Sequence, residues 1–491
     1  MTLRASVLGS LIALCVACSS GSPTSSPGCL VGASLACACT DGRAGAQVCG
    51  DAARLGPCVC TAGDASLVPA DVATLDAPTS PDVPAPPDVP AATPDVPTPR
   101  DVPASPDVPT PRDVSAPLDV PAATPDVPTP RDVSAPLDVP TSSTRPGFFH
   151  TQGSAIVDAN GRAVRLTGLS WFGFETSNFA PHGLWQRSMT AMLDQVRTLG
   201  YNVIRVPWCN QMLDAGSTPN GIDFAQNPDL RGLTAVEVLD RFIAAARARG
   251  LKVILDRHRP DARGQSELWY TSAYDEERWI RDWVTLARRY RDDPTVIGVD
   301  LHNEPHGAAT WGDGNLATDW RLAAERAGNA VLAVNPDLLI VVEGIERYAG
   351  TSYWWGGNLR GARTAPVRLT VPGRVVYSPH DYPSSVFAQA WFGAADYPAN
   401  LPRVWGDAWG YLAVEGLAPV WIGEFGTRLA TTSDRQWLNG MVSYVRANNL
   451  SFAYWCLNPN SGDTGGILQD DWQTVNTAQQ SALMPVLAPP L

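Results

Sequence analysis

The sequence predicts a (β/α)8 barrel over roughly its last two thirds, and three observations carry that prediction. All 17 Trp, 12 Tyr and 11 Phe residues lie at or after Phe148, so the only large core the chain can bury belongs to the part from about residue 146 onward. Eight short apolar runs follow, separated mostly by stretches with helical periodicity. Polar side chains recur at the C-terminal ends of these runs, where the active-site loops of a barrel sit. A doubly wound open sheet is the rival arrangement; the count of eight favours the barrel.

Residues 1–17 read as a bacterial export signal: Arg4 gives a positive start, and the apolar stretch 7–16 is too short to span a bilayer. Cys18, after Val16-Ala17 and before Ser19-Ser20, resembles the lipidated cysteine of a lipoprotein signal. That would attach the chain to a membrane; ordinary cleavage and secretion is the alternative. Residues 18–63 hold Cys29, Cys37, Cys39, Cys49, Cys58 and Cys60. In an exported chain this predicts up to three disulfides. A zinc site is the rival, but Cys37-Ala38-Cys39 and Cys58-Val59-Cys60 are spaced more closely than metal ligands prefer.

Residues 64–145 are low complexity. They hold 13 Asp, no Glu and 4 Arg, so most of the net charge of −13 is theirs. The 16 residues at 106–121 recur unchanged at 125–140. Frequent proline removes backbone donors and fixes φ, which predicts an extended spacer, about 3.1 Å per residue if polyproline-like. The acidity is explained by solvation of this tail, and no basic footprint for nucleic acid exists.

Residues 146–491 form the predicted barrel domain. Runs at 165–171, 201–207 and 252–258 are its first three strands. Between them, Met189, Met192, Leu193, Val196 and Leu199 make a helical stripe closed by Gly200, and a helix at 235–249 ends at Gly250. A helix at 275–291 leads to strand four, 296–304, and one at 318–334 leads to strand five, 338–343. The runs 374–382, 419–426 and 452–458 complete the eight. Their polar ends are Arg205, His258, Asn303 with Glu304, His380 with Tyr382, Glu424 and Trp455.

Two carboxylates across one cleft suit glycoside hydrolysis. One must start protonated to push off the leaving oxygen, so its pKa must be raised; the other must start ionised to attack the anomeric carbon. The tips of strands four and seven, carrying Glu304 and Glu424, lie on opposite sides of a barrel mouth.

Asn303-Glu304-Pro305 and Gly423-Glu424-Phe425-Gly426, with Arg205, His258 and His380-Asp381-Tyr382, resemble glycoside hydrolase family 5. Trp171-Phe172-Gly173-Phe174-Glu175-Thr176, His182-Gly183-Leu184-Trp185, Tyr353-Trp354-Trp355-Gly356-Gly357-Asn358 and Ser461-Gly462-Asp463-Thr464-Gly465-Gly466 are similar to its bacterial endo-1,4-β-glucanases of the first subfamily. The resemblance covers roughly residues 148–487. It implies a retaining endo-β-1,4-glucanase that needs no metal or cofactor, takes a polysaccharide as partner and works as a monomer. Glu304 would be the general acid and then the base, and Glu424 the nucleophile. Asn303 would donate to the sugar 2-hydroxyl, and Arg205 and Tyr382 would hold Glu424 by opposite charge and hydrogen bonding. His258 and His380 would bind sugar hydroxyls or position the acid. Trp455, and Trp171 with it, would offer flat faces to pyranose rings; Trp354 and Trp355 fit core or platform equally.

The chain departs from those relatives at Cys456-Leu457, where they carry a second tryptophan, and at Ser177, Thr310 and Asp313, near the loop cysteines of some of them. Cys209 and Cys456 follow strands two and eight and fit either a disulfide or two buried thiols. A mannan, xyloglucan or mixed-linkage substrate is the alternative within the enzyme class. A non-catalytic carbohydrate-binding protein is the alternative outside it, but binding alone does not require both carboxylates.

Overall fold

The computed structural model describes residues 34–38, 44–50, 54–60 and 144–491. The export signal, Cys18 and nearly all of the proline-rich tract lie outside the described residues.

Eight parallel strands form the barrel: β1 (Thr167–Ser170), β2 (Val203–Cys209), β3 (Lys252–Arg259), β4 (Val296–Asp300), β5 (Leu339–Glu343), β6 (Val375–Ser378), β7 (Trp421–Ile422) and β8 (Ser451–Tyr454). Each pairs with its successor from β1 to β6, β7 pairs with β8, and β8 returns to β1 with Phe452 opposite Thr167. The seam between β6 and β7 is closed by bridges rather than a ladder, Tyr377 with Val420 and His380 with Glu424. A Cβ on Gly168 would stand 2.1 Å from the Val203 carbonyl oxygen, so β1 and β2 approach closely only because that residue is glycine.

The first four crossovers carry α1 (Met189–Thr198), α2 (Ala235–Arg247), α3 (Glu276–Arg289) and α4 (Trp320–Val334). Each starts where a side chain takes an orphan amide: Ser188, Thr234, Asp275 and Asp319 accept from the third residue beyond. Such a cap is worth about 1 kcal/mol. The β5–β6 connection has no α-helix. Short helices α5 (Leu401–Trp405) and α6 (Tyr411–Val414) precede β7, and α7 (Thr432–Ala447) and α8 (Thr477–Leu483) complete the outer layer.

Three indoles tie this layer to the strand tips. Trp279 and Trp283 of α3 both donate to the Leu301 carbonyl, at 2.9 and 3.0 Å, and Trp320 of α4 donates to the Glu343 carbonyl at 2.9 Å. The opposite end of the barrel is plugged by a small antiparallel sheet, Phe149–Gln152, Ala155–Asp158 and Ala163–Val164. Its Phe149 and Ile156 join Val203, Ile254, Ile297 and Leu339 in the interior core. The sequence pattern did not reveal this sheet.

Ahead of the barrel, Ser34–Ala38, Ala44–Val48 and Val59–Cys60 make an antiparallel sheet, with a disulfide between Cys37 and Cys58. Ser34 is buried against α4: its amide donates to Glu325 at 2.9 Å, and Asn329 donates to its carbonyl at 3.3 Å. In the barrel, Cys209 and Cys456 are free, buried thiols, which decides between the two expectations for them.

Candidate active site

Where β4 ends, the chain turns Asn303 and Glu304 into the mouth. Asn303 is fixed from below by its amide, which donates to the Arg257 carbonyl at 3.1 Å. Glu304 takes a left-handed backbone with φ of +52°, uncommon for a residue with a Cβ. Its amide donates to Glu343 Oε2 at 2.7 Å. Its carboxylate accepts from Gln265 at 3.1 Å and faces His380 Nδ1 at 3.0 Å.

Glu424 stands beyond β7, across the barrel seam from His380. Arg205 Nη1 donates to its Oε1 and the Tyr382 hydroxyl to its Oε2, each at 2.5 Å. A Glu304 oxygen, a Glu424 oxygen and a His380 ring nitrogen all lie within 4.8 Å of one another. A Cβ on Gly426 would fall 1.9 Å from the Trp455 carbonyl, so the chain after Glu424 passes β8 only as glycine.

Arg205 is the hub beneath both carboxylates. Fully buried, it bonds Asp300 at 3.0 Å, Asn303 Oδ1 at 2.8 Å and Glu343 at 3.1 Å, and pairs with Asp256 at 3.2 Å. Asp256 in turn holds His258 Nδ1 at 2.6 Å. Because Arg205 occupies Asn303 Oδ1, the buried Asn303 amide nitrogen has no protein partner. Such a buried donor is normally satisfied in a folded protein.

Charge is distributed by burial against pairing. Burial raises Asp256 and Asp300 to about 6, with Arg205 opposing. Burial pushes His258 down to about 3 despite the pull of Glu424. Burial also lowers His380, yet Glu343 and Glu424 outweigh it and hold its pKa well above the ordinary value. Burial raises Glu304, but the His380 contact outweighs it and leaves the carboxyl below its ordinary value. The expectation of a raised pKa on the acid is therefore corrected: the His380 contact draws the Glu304 carboxyl down. The 3.0 Å contact with His380 favours the ionised form of Glu304 and the protonated form of His380.

The mouth opens into a cavity of about 840 Å³ lined by Glu304, Glu424, His258, Tyr382 and Trp455 among others. Trp455 stacks on His258 at 5.3 Å and 6° and on Phe172 at 5.6 Å and 12°. Trp354 packs on Tyr382, and Trp355, 45 % exposed, stacks on His306; both line the cavity. Cys456 and Leu457 are fully buried and do not reach it.

The sequence-predicted set thus converges, with one exception. Trp171 is fully buried, donates its indole N–H to the His182 carbonyl and packs edge-on against Phe242 of α2. Strand alternation is the reason: Trp171 faces the helix layer and its neighbour Phe172 faces the mouth. Sequence reading also left out Glu343 and Gln265. Glu343 had a visible signal, a carboxylate closing the apolar run 338–343; Gln265 had none, being one polar residue within a loop.

A family model for cellulase, glycosyl hydrolase family 5, matches residues 157–461. The chain belongs to glycosyl hydrolase family 5. An endoglucanase of Paenibacillus polymyxa is 55 % identical over 348 residues, covering 70 % of this chain and 88 % of that protein. The major extracellular endoglucanase of Xanthomonas campestris pv. campestris is 44 % identical over 335 residues, covering 67 % of this chain and 69 % of that protein. Among solved structures, the catalytic domain of that Xanthomonas enzyme superposes with a TM-score of 0.66 at 43 % identity, covering 69 % of this chain and 99 % of the domain. A hyperthermophilic endocellulase of Pyrococcus horikoshii superposes with the same score of 0.66 at 40 % identity, covering 70 % of this chain and 100 % of its own. This family 5 member is a glycoside hydrolase on a (β/α)8 barrel.

Proposed function

We propose that the chain is a retaining endo-1,4-β-glucanase acting on cellulose or a related β-glucan. The observation that carries this reading is the pair of carboxylates, with oxygens of Glu304 and Glu424 within 4.8 Å of each other in one cavity. Retaining glycosidases hold their carboxyls about 5–5.5 Å apart, and inverting ones about 6.5–9.5 Å to admit a water. The short separation falls on the retaining side of that division and supports double displacement.

In this reading Glu424 is the nucleophile, aimed by Arg205 and Tyr382. Glu304, at the rim, gives a proton to the departing sugar oxygen and later takes one from the incoming water. The unpaired Asn303 amide supports a bond to the 2-hydroxyl, which strengthens as the ring gains positive charge. Trp455 supports one pyranose face, while His258, neutral at working pH, offers a hydroxyl partner.

Polysaccharide hydrolysis followed by product sizing tests the substrate and endo action together. Mixed short oligomers from carboxymethylcellulose are expected. Glu304→Gln and Glu424→Gln are each expected to abolish that turnover with the fold kept; normal turnover by either would sink the assignment. Export agrees with the extracellular Xanthomonas relative. We also infer an anchor at Cys18 and a separate N-terminal segment and linker ahead of the catalytic domain. Detergent partitioning of the full chain that disappears in Cys18→Ala checks the anchor.

A further inference from the structure

Glu343 has no part in the family reading above, yet it touches both halves of the acid's environment. It closes β5, is fully buried, and lies under the tip of β4. Its Oε2 accepts from the Glu304 amide at 2.7 Å. Its Oε1 lies 3.2 Å from His380 Nε2 and accepts from Arg205 at 3.1 Å. The loop above closes over this carboxylate only because residue 356 is glycine; a Cβ there would stand 2.2 Å from Glu343 Oε2. Burial raises the Glu343 carboxyl well above its ordinary pKa, with His380 and Arg205 opposing; both of its oxygens nevertheless accept from fixed N–H donors, an arrangement that fits a carboxylate.

A carboxylate against Nε2 decides which ring nitrogen of His380 always carries a proton. With Nε2 turned toward Glu343 at 3.2 Å, an ion-pair distance, Nδ1 is left to the 3.0 Å contact with Glu304. That contact then holds one proton, on Nδ1 or on Glu304. We propose that Glu343 is a positioning residue for the acid–base step: it fixes His380 as the Nε2–H form, so that Glu304 and Nδ1 share one transferable proton, and it holds the Glu304 backbone in its left-handed conformation. The inference rests on reading Glu304 as the acid–base.

During glycosylation the proton moves from Nδ1 to Glu304 and on to the leaving oxygen, which keeps the electron pair of the broken glycosidic bond. His380 is left neutral with Nε2–H on Glu343. During deglycosylation Glu304 takes a proton from water, and the pair is restored. The charged and titratable groups facing Glu343 and His380 are Arg205 from β2, Asp256 and His258 from β3, Asp300 and Glu304 from β4 and its tip, Tyr382 after β6, and Glu424 after β7. Only Arg205 among them is a permanent cation, so removing the Glu343 anion lowers the affinity of the His380–Glu304 pair for its proton.

The test uses Glu343→Gln in the full chain, with two substrates. On carboxymethylcellulose, whose leaving group needs a proton, kcat/KM is expected to fall about 100-fold or more. The basic limb of its pH profile is expected to move down by about 1 unit or more. On 2,4-dinitrophenyl β-cellobioside, whose leaving group needs none, kcat/KM is expected to fall less than about 5-fold. Equal loss on both substrates with an unmoved basic limb, or no loss on either, overturns the inference. Nitrogen-15 NMR of histidine in the unaltered chain reads the tautomer even if that variant does not fold. The His380 signal is assigned by its disappearance in His380→Gln. Nε2–H supports the inference; a bare Nε2 overturns it. The underlying reading is checked separately: polysaccharide turnover at the normal rate by Glu304→Gln would remove Glu304 as acid–base whatever Glu343 does.

Discussion

Tyr382→Phe is the cleanest perturbation of the nucleophile. The change deletes one oxygen, leaves no cavity of consequence, and removes the hydroxyl that donates to Glu424 Oε2 at 2.5 Å. Burial and the neighbouring Glu424 push the Tyr382 phenol well above its ordinary pKa, so it remains a donor across any working pH. A hydrogen bond to a charged group contributes about 1.5–3 kcal/mol. At 1.36 kcal/mol per tenfold, that is a fall of about 10- to 150-fold in kcat/KM. Arg205 still holds Oε1, so complete loss is not expected. The assay is initial-rate hydrolysis of carboxymethylcellulose and of an aryl β-cellobioside. Both should lose activity alike, because the bond from Glu424 to the anomeric carbon forms as the bond to either leaving group breaks, in one displacement. Loss smaller than about 3-fold on both would refute the view that this bond aims the nucleophile.

Three further outcomes follow from the geometry. Gly426→Ala drives a Cβ against the Trp455 carbonyl, a backbone atom with little room to yield, and is expected to cost about 3 kcal/mol or more in urea unfolding. His182 is buried among Thr176, Asn178 and Asn460, and burial pushes its pKa down to about 4. A folded pKa below the unfolded value of about 6.5 means its stabilising effect is full above pH 6.5 and is lost as pH falls toward 4, about 3 kcal/mol in all. His182→Asn should shrink the difference in unfolding free energy between pH 7 and pH 4 by about that amount. Cys209, pushed up to about 12 by burial, and Cys456, pushed up in the same way, should resist maleimide in the folded protein and label fully once denatured, as read by peptide mapping.

The barrel was legible because its strands are wholly buried runs and its helices are stripes with clear caps, such as Ser188 and Thr234. The plug at the other end was not: its strands are two to four residues long, too short to show a period. Most of the site was legible as polar residues at the ends of apolar runs. What escaped depends on facing. Trp171 and Phe172 are adjacent, and only strand register says which one turns to the mouth. Glu343 was visible as a strand-end carboxylate, but nothing in a linear sequence tells that β4 and β5 bring it under Glu304. The downward pull on the Glu304 carboxyl was not legible for the same reason, since it comes from a histidine 76 residues away.

The distribution of indoles has an optical consequence. Ten of the 17 tryptophans are fully buried, three of them pinned by their N–H groups to strand-tip carbonyls. Trp311, Trp354 and Trp472 are nearly so, and Trp391 and Trp455 only half-exposed, leaving Trp185 and Trp355 freely reached by solvent. A collisional quencher such as iodide therefore dims only a small share of the emission. Much of that share comes from Trp355 and Trp455 on the cavity wall. Protection from quenching on adding a cello-oligosaccharide would report groove occupancy directly, with no label and no turnover.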